Sequence, residues 1–141
     1  MDKRFGVCGL VVSIAGLLLG FLIHGVVLRG DYLALAGSGL VRGREGDASL
    51  LGCIVVAHLL AGYGMTWLYR QVVPAGERSL RRALRFAIAL ALAATIPACL
   101  IAYAVQPWPA EMAGKQLVLS TAAVLVLGLL LGYLHPRRPS L

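Results

Sequence analysis

Residues 5–28 read FGVCGLVVSIAGLLLGFLIHGVVL. No Asp, Glu, Lys or Arg interrupts them, and only His24 could carry a charge. A membrane-crossing helix needs about 20 mostly apolar residues, so this stretch can span a bilayer on its own. Backbone in lipid must satisfy its own hydrogen bonds, which leaves helices or closed barrels. The run lacks the alternation of a barrel strand. Working outward, three more stretches qualify: residues 48–69, in which only His58 is ionisable, and residues 86–105 and 117–134, which carry no charge. The pattern predicts an all-α protein, a transmembrane four-helix bundle forming one integral membrane domain over residues 1–141.

Composition agrees. The 141 residues are 60% hydrophobic and 13% charged, with a mean hydropathy of +0.85. Soluble domains carry roughly 25% charge, and a chain this short cannot hide so much apolar surface behind a hydrated shell. A soluble globular enzyme, a disordered protein and a disulfide-stapled module are excluded. Three cysteines imply no disulfide framework.

Lys and Arg in the short loops set direction. Lys3, Arg4, Arg70, Arg78, Arg81, Arg82, Arg85, Arg137 and Arg138 fall on one side, and Arg29, Arg42, Arg44 and Lys115 on the other, nine against four. Both termini are expected in the cytoplasm. The net charge of +7 follows from this bias, and no nucleic-acid partner is expected. Arg78, Arg81, Arg82 and Arg85 stand at i, i+3, i+4 and i+7, one basic stripe if helical. Such a stripe attracts anionic phospholipid headgroups by about 1 kcal/mol per charge.

The rival reading of the first run is a secretory signal cleaved near Ala34–Gly37, but the 24-residue run exceeds the usual apolar core of about 7–15 residues. The loop from Arg29 to Asp47 holds five glycines and shows little helical signal, although Tyr32 and Leu33 could fold back onto the bilayer surface. The loop QPWPAEMAGK at 106–115 is short, with Trp108 as an interfacial anchor and Glu111 one turn before Lys115.

Helices in lipid associate by close packing, and each span offers small residues. These are Gly16 and Gly20 in the first, Cys53, Ala57, Ala61 and Gly64 in the second, Ala87, Ala91, Ala94, Ala98 and Ala102 in the third, and Thr121, Gly128 and Gly132 in the fourth. The pattern leaves open whether these faces dock within one chain, between copies or onto a membrane-protein partner. Pro97 cannot donate to the Ala93 carbonyl, so a kink or a substitute donor is expected.

Candidate chemistry sits at the intramembrane polar positions. His24 and His58 on neighbouring spans suggest two axial ligands of a haem, but at 1.5 Å per residue their depths differ by about 9 Å. Thr95 lies near the depth of His58, and an imidazole N–H donating to the Ala93 carbonyl is the structural alternative. His24, Cys53, Cys99 and Thr121 share a level in the outer leaflet, and thiolate with imidazole suits Cu(I) or Zn(II). No CxxC or HxxxH spacing accompanies them, so neither a metal nor a cofactor is assigned. No phosphate loop, GxSxG, HExxH or intramembrane carboxylate is present, so no catalytic residue is assigned.

Three stretches, GFLIHGVVLRGDYLAL (20–35), AHLLAGYGMTWLYRQ (57–71) and YAVQPWPAEMAGKQ (103–116), resemble a group of small bacterial inner-membrane proteins of no settled activity. In that group HGxxL followed by Tyr, an AHL opening the second span and a QPxPG…KQ stretch recur. Here Ala110 replaces the glycine, and Ser120 or Thr121 stands where a carboxylate is expected. The resemblance implies four spans and a bacterial inner membrane, and carries no functional residues. The expected function is a non-enzymatic structural or accessory component. The alternatives are a redox or metal/haem-handling protein using the intramembrane His and Cys residues, and a small permease or channel with His58 at its constriction.

Overall fold

A computed structural model describes residues 3–38, 48–73 and 79–135. Its helices are α1 (Lys3–Gly20), α2 (Arg29–Ala36), α3 (Ala48–Val72), α4 (Leu80–Leu90), α5 (Ile96–Val105) and α6 (Ala110–Leu134). A π-helical stretch, Phe21–Val27, prolongs α1, and a second, Ala91–Thr95, joins α4 to α5. Four helical stretches are long and apolar enough to cross a membrane: Lys3–Val27, Ser49–Val72, Leu80–Val105 and Ala110–Leu134. The chain is an all-α bundle of a multi-pass membrane protein.

Three helices run past their apolar limits. The third span starts at Leu80, where Ser79 adopts extended backbone and accepts from the Arg82 N–H at 3.4 Å. That cap satisfies a donor the first turn leaves free. The fourth starts at Ala110, and the second continues to Val72. The segment after the first span is a correction to the expected loop, because Arg29–Ala36 is helical. The reason is a favourable continuation: Leu28 is fully buried, and the Tyr32 N–H reaches its carbonyl at 3.0 Å, reopening the helical ladder.

The two π stretches have separate causes. Pro97 has no N–H, so the turn before it widens and the Ile96 N–H reaches the Ala91 carbonyl five residues back. In the first span the Phe21 ring folds over Gly25, and the Leu28 N–H reaches the Ile23 carbonyl at 2.8 Å.

Packing order is α3, α1, α6 and then α4–α5. Small residues set each seam. Gly62 of α3 lies where any Cβ would strike the Ser13 backbone, so α1 and α3 touch main chain to main chain. Gly128 and Gly132 of α6 accept the Ala87 and Ala83 methyls of α4. This is the small-residue docking expected in lipid, and here it closes inside one chain.

The core is lopsided. Val12, Met65, Tyr69, Val73, Ala83, Leu127 and Leu131 form one cluster where α1 starts, α3 ends, α4 starts and α6 ends. At that end Tyr69 ties the ring together, meeting Phe86 edge-on at 5.2 Å and His135 at 5.3 Å. At the far end the buried apolar residues among those described are Ile23, Leu28 and Met112, from the first and fourth spans. The α5 helix buries none, and Leu51, Ile54, Val55 and Val56 of α3 are exposed.

Candidate functional site

The first polar site lies in the α1–α3 seam. Ser13 donates to the Gly9 carbonyl at 2.8 Å within its helix and lies 3.4 Å from the Leu59 carbonyl of α3. One turn further along, the His58 ring fills the space above Gly16 and Gly20. A Cβ on Gly20 would come within 2.8 Å of its Nε2. Its Nδ1 pairs with the Ile54 carbonyl at 2.8 Å, four residues back on the same helix. His24 follows at the next turn of the same α1 face, and its Nδ1 lies 2.9 Å from the Tyr32 hydroxyl of α2. The two imidazoles lie within each other's electrostatic reach.

This overturns the expected partner of His58. The second span does not run along the third at this depth; they meet at Tyr69 and Phe86, at the other end of the bundle. The Ala93 carbonyl and Thr95 belong to a helix on the far side of α6. Thr95 closes the π turn, half-buried. His58 is satisfied by its own helix and packs into the α1–α3 seam.

His24, Cys53 and Cys99, expected at one level of the bundle, do not assemble. Among the described residues, no three His, Cys, Asp or Glu side chains gather as a metal set would. Cys53 stands exposed on α3 and Cys99 lies half-buried in a groove between α5 and α6, both as free thiols. The Thr121 hydroxyl on α6 is buried without a hydrogen-bond partner. The second-span face expected to pack is also displaced. Cys53, Ala57 and Ala61 face outward, a Cβ on Gly64 would meet nothing, and the packed face carries His58, Gly62, Thr66 and Tyr69.

At the far end, Lys115 contacts Glu111 at 2.9 Å and Asp31 of α2 at 3.3 Å. The first pair follows from i,i+4 spacing, whereas the second exists only because Arg29–Ala36 is helical and folds toward α6.

The second polar site is a nook at the arginine-rich end, with Arg4, Cys8, Thr66, Tyr69, Arg70 and His135 in its wall. Tyr69 is 1% exposed, and its hydroxyl has no hydrogen-bond partner. Thr66 donates to the Gly62 carbonyl at 2.7 Å, and the Cys8 thiol points to the Leu134 carbonyl at 3.7 Å. The Arg70 guanidinium rests over the Phe5 ring at 5.6 Å, a contact worth about 0.5–1 kcal/mol where exposed. The sequence singles out His, Cys and Thr positions inside the spans, and Tyr69, at a span terminus, falls outside that set. The available signal was a tyrosine next to Arg70 at a span terminus.

Of the basic stripe, Arg81, Arg82 and Arg85 stand exposed on α4, opposite the buried Ala83 and Ala87, and Arg82 is within electrostatic reach of Tyr69. Arg78 lies outside the described residues. No family model, curated protein or solved structure matches the chain.

Proposed function

We propose that this chain is a non-enzymatic structural or accessory component of a bacterial cytoplasmic membrane, with both termini in the cytoplasm. Its task in this reading is to hold another transmembrane segment, from a second copy or a different membrane protein. One observation supports it: the spans share a core at one end, while Cys53, Ala57 and Ala61 of α3 present an outward small-residue face at the other. Lipid packs poorly into such a face and a helix packs well. Arg81, Arg82 and Arg85 would rest on anionic headgroups and fix the third span in depth.

The test uses native membranes and a chain carrying Cys8→Ser and Cys99→Ser, so that Cys53 is the sole thiol. Mild oxidation is expected to give a Cys53-linked dimer, or a photo-crosslinker at Ala57 an adduct with another membrane protein. A chain that yields neither, and that elutes as a bare monomer from mild detergent, overturns the reading. Impermeant labelling of a cysteine placed at Ser140 in intact cells would overturn the orientation.

A further inference from the structure

We infer that His24 and His58 form a two-coordinate site for copper(I), with the ion held between their Nε2 atoms over Gly20. The inference goes beyond the role proposed above, since it concerns the α1–α3 seam and not the outward face of α3.

The hydrogen bonds orient the ligands. A backbone carbonyl only accepts, so His58 Nδ1, 2.8 Å from the Ile54 carbonyl, carries the ring hydrogen. In the neutral imidazole the lone pair then sits on Nε2. Metal-ligating histidines have this arrangement, donating through the nitrogen that does not bind the ion. The Tyr32 hydroxyl, 2.9 Å from His24 Nδ1, can accept as well as donate, and when it accepts the His24 lone pair also sits on Nε2. Among the described residues neither Nε2 has a hydrogen-bond partner. Both rings are only half-buried, so an ion can enter from the edge of the seam.

Glycine supplies the room. The side-chain atom nearest to a Cβ built on Gly20 is His58 Nε2, at 2.8 Å. A metal–imidazole bond is about 2 Å long, so an ion bonded there takes roughly the space that the missing methyl leaves. His24 stands one turn further along the same face. Helical side chains lean back toward the N-terminus, which carries its ring toward Gly20. The two rings lie within each other's electrostatic reach.

The donor set selects the ion. Among the described residues no third His, Cys, Asp or Glu joins the pair. Zinc(II) takes four ligands in structural sites. Copper(I) accepts imidazole and is stable with two ligands in line. Its single charge is also less costly to hold away from water than a double one.

The test is competition for copper(I), kept reduced by ascorbate, between bicinchoninate and the full chain in mild detergent. The chain carries Cys8→Ser, Cys53→Ser and Cys99→Ser, so that no thiol competes. It is expected to take one copper(I), with X-ray absorption showing two nitrogen neighbours at about 2 Å. His24→Gln and His58→Gln are each expected to lower the affinity by more than about 100-fold, and Tyr32→Phe by about tenfold, the effect of losing an outer partner. Absence of bound copper, three or four light neighbours around it, or zinc(II) bound as tightly overturns the site. So does equal affinity in the parent and either Gln variant, with all monodisperse and equally helical. His24→Gln leaves the His58 ring on its glycines, so the result is readable even where His58→Gln fails to fold.

Discussion

The backbone of Ser13 occupies the place where a side chain on Gly62 would have to go. That relationship sets how closely the first two spans approach and how the His58 ring is held one turn away. Adding a methyl at Gly62 forces the helices apart, since main chain cannot yield as a flexible side chain does.

Gly62→Ala is therefore expected to destabilise the bundle by about 1–3 kcal/mol, as overpacking does. Gly64→Ala, where a Cβ meets nothing within 4 Å, is expected to leave stability unchanged or raise it by up to about 1 kcal/mol, the helix-propensity gain of alanine over glycine. Reversible unfolding in mixed micelles compares them. Equal behaviour of the two variants would contradict the crossing.

The α4–α6 seam predicts a compensating pair. Gly128→Ala places a methyl against the Ala87 methyl and is expected to cost about 1–3 kcal/mol. Adding Ala87→Gly removes the opposing methyl and should recover a substantial part of that loss, less about 1 kcal/mol for a helix-interior glycine. A double-mutant cycle measures the coupling, and strict additivity would show that these residues are not in contact.

Pro97 is expected to maintain the π turn. Pro97→Ala restores an N–H that can reach the Ala93 carbonyl, so Ala91–Thr95 should relax toward α-helical spacing. Amide exchange around Ile96 should slow, and stability should rise by roughly 1–3 kcal/mol. Distances between spin labels at Leu84 and Leu100 would report the straightening. Unchanged distances and exchange would mean that packing on α6, not the proline, widens the turn.

His58→Ala empties the space above Gly16 and Gly20 and is expected to cost about 2–4 kcal/mol, within the range for cavities left by large side chains. Gly20→Ala in the same chain refills part of that space and should return some stability, whereas Gly20→Ala alone should destabilise. Optical spectra of wild type and His58→Ala are expected to be identical and free of a Soret band. A Soret band lost with His58 would restore the haem alternative.

The link between Lys115 and Asp31 is exposed, with the lysine side chain 41% accessible, and exposed pairs contribute little. Lys115→Met should leave the unfolding midpoint unchanged within error. A clear drop would show that the pair is desolvated at the bilayer surface.

The number of spans and their helical nature were legible in the sequence, because uninterrupted apolar length and backbone hydrogen bonding in lipid constrain both without tertiary information. The Glu111–Lys115 pair was legible too, being a matter of helical spacing alone. Which face of each span turns inward was decided by tertiary structure. In the first span the small residues Gly16 and Gly20 do face a partner, yet in the second Cys53, Ala57 and Ala61 turn outward while His58, Gly62 and Tyr69 turn in. Lipid and protein interior are almost equally apolar, so hydrophobicity does not mark the buried face, and steric fit between particular side chains does. The same indifference explains why depth counting set His58 beside Thr95. Depth is additive along one helix, but lateral neighbours depend on the order in which helices pack, and here α1 and α6 stand between the second and third spans.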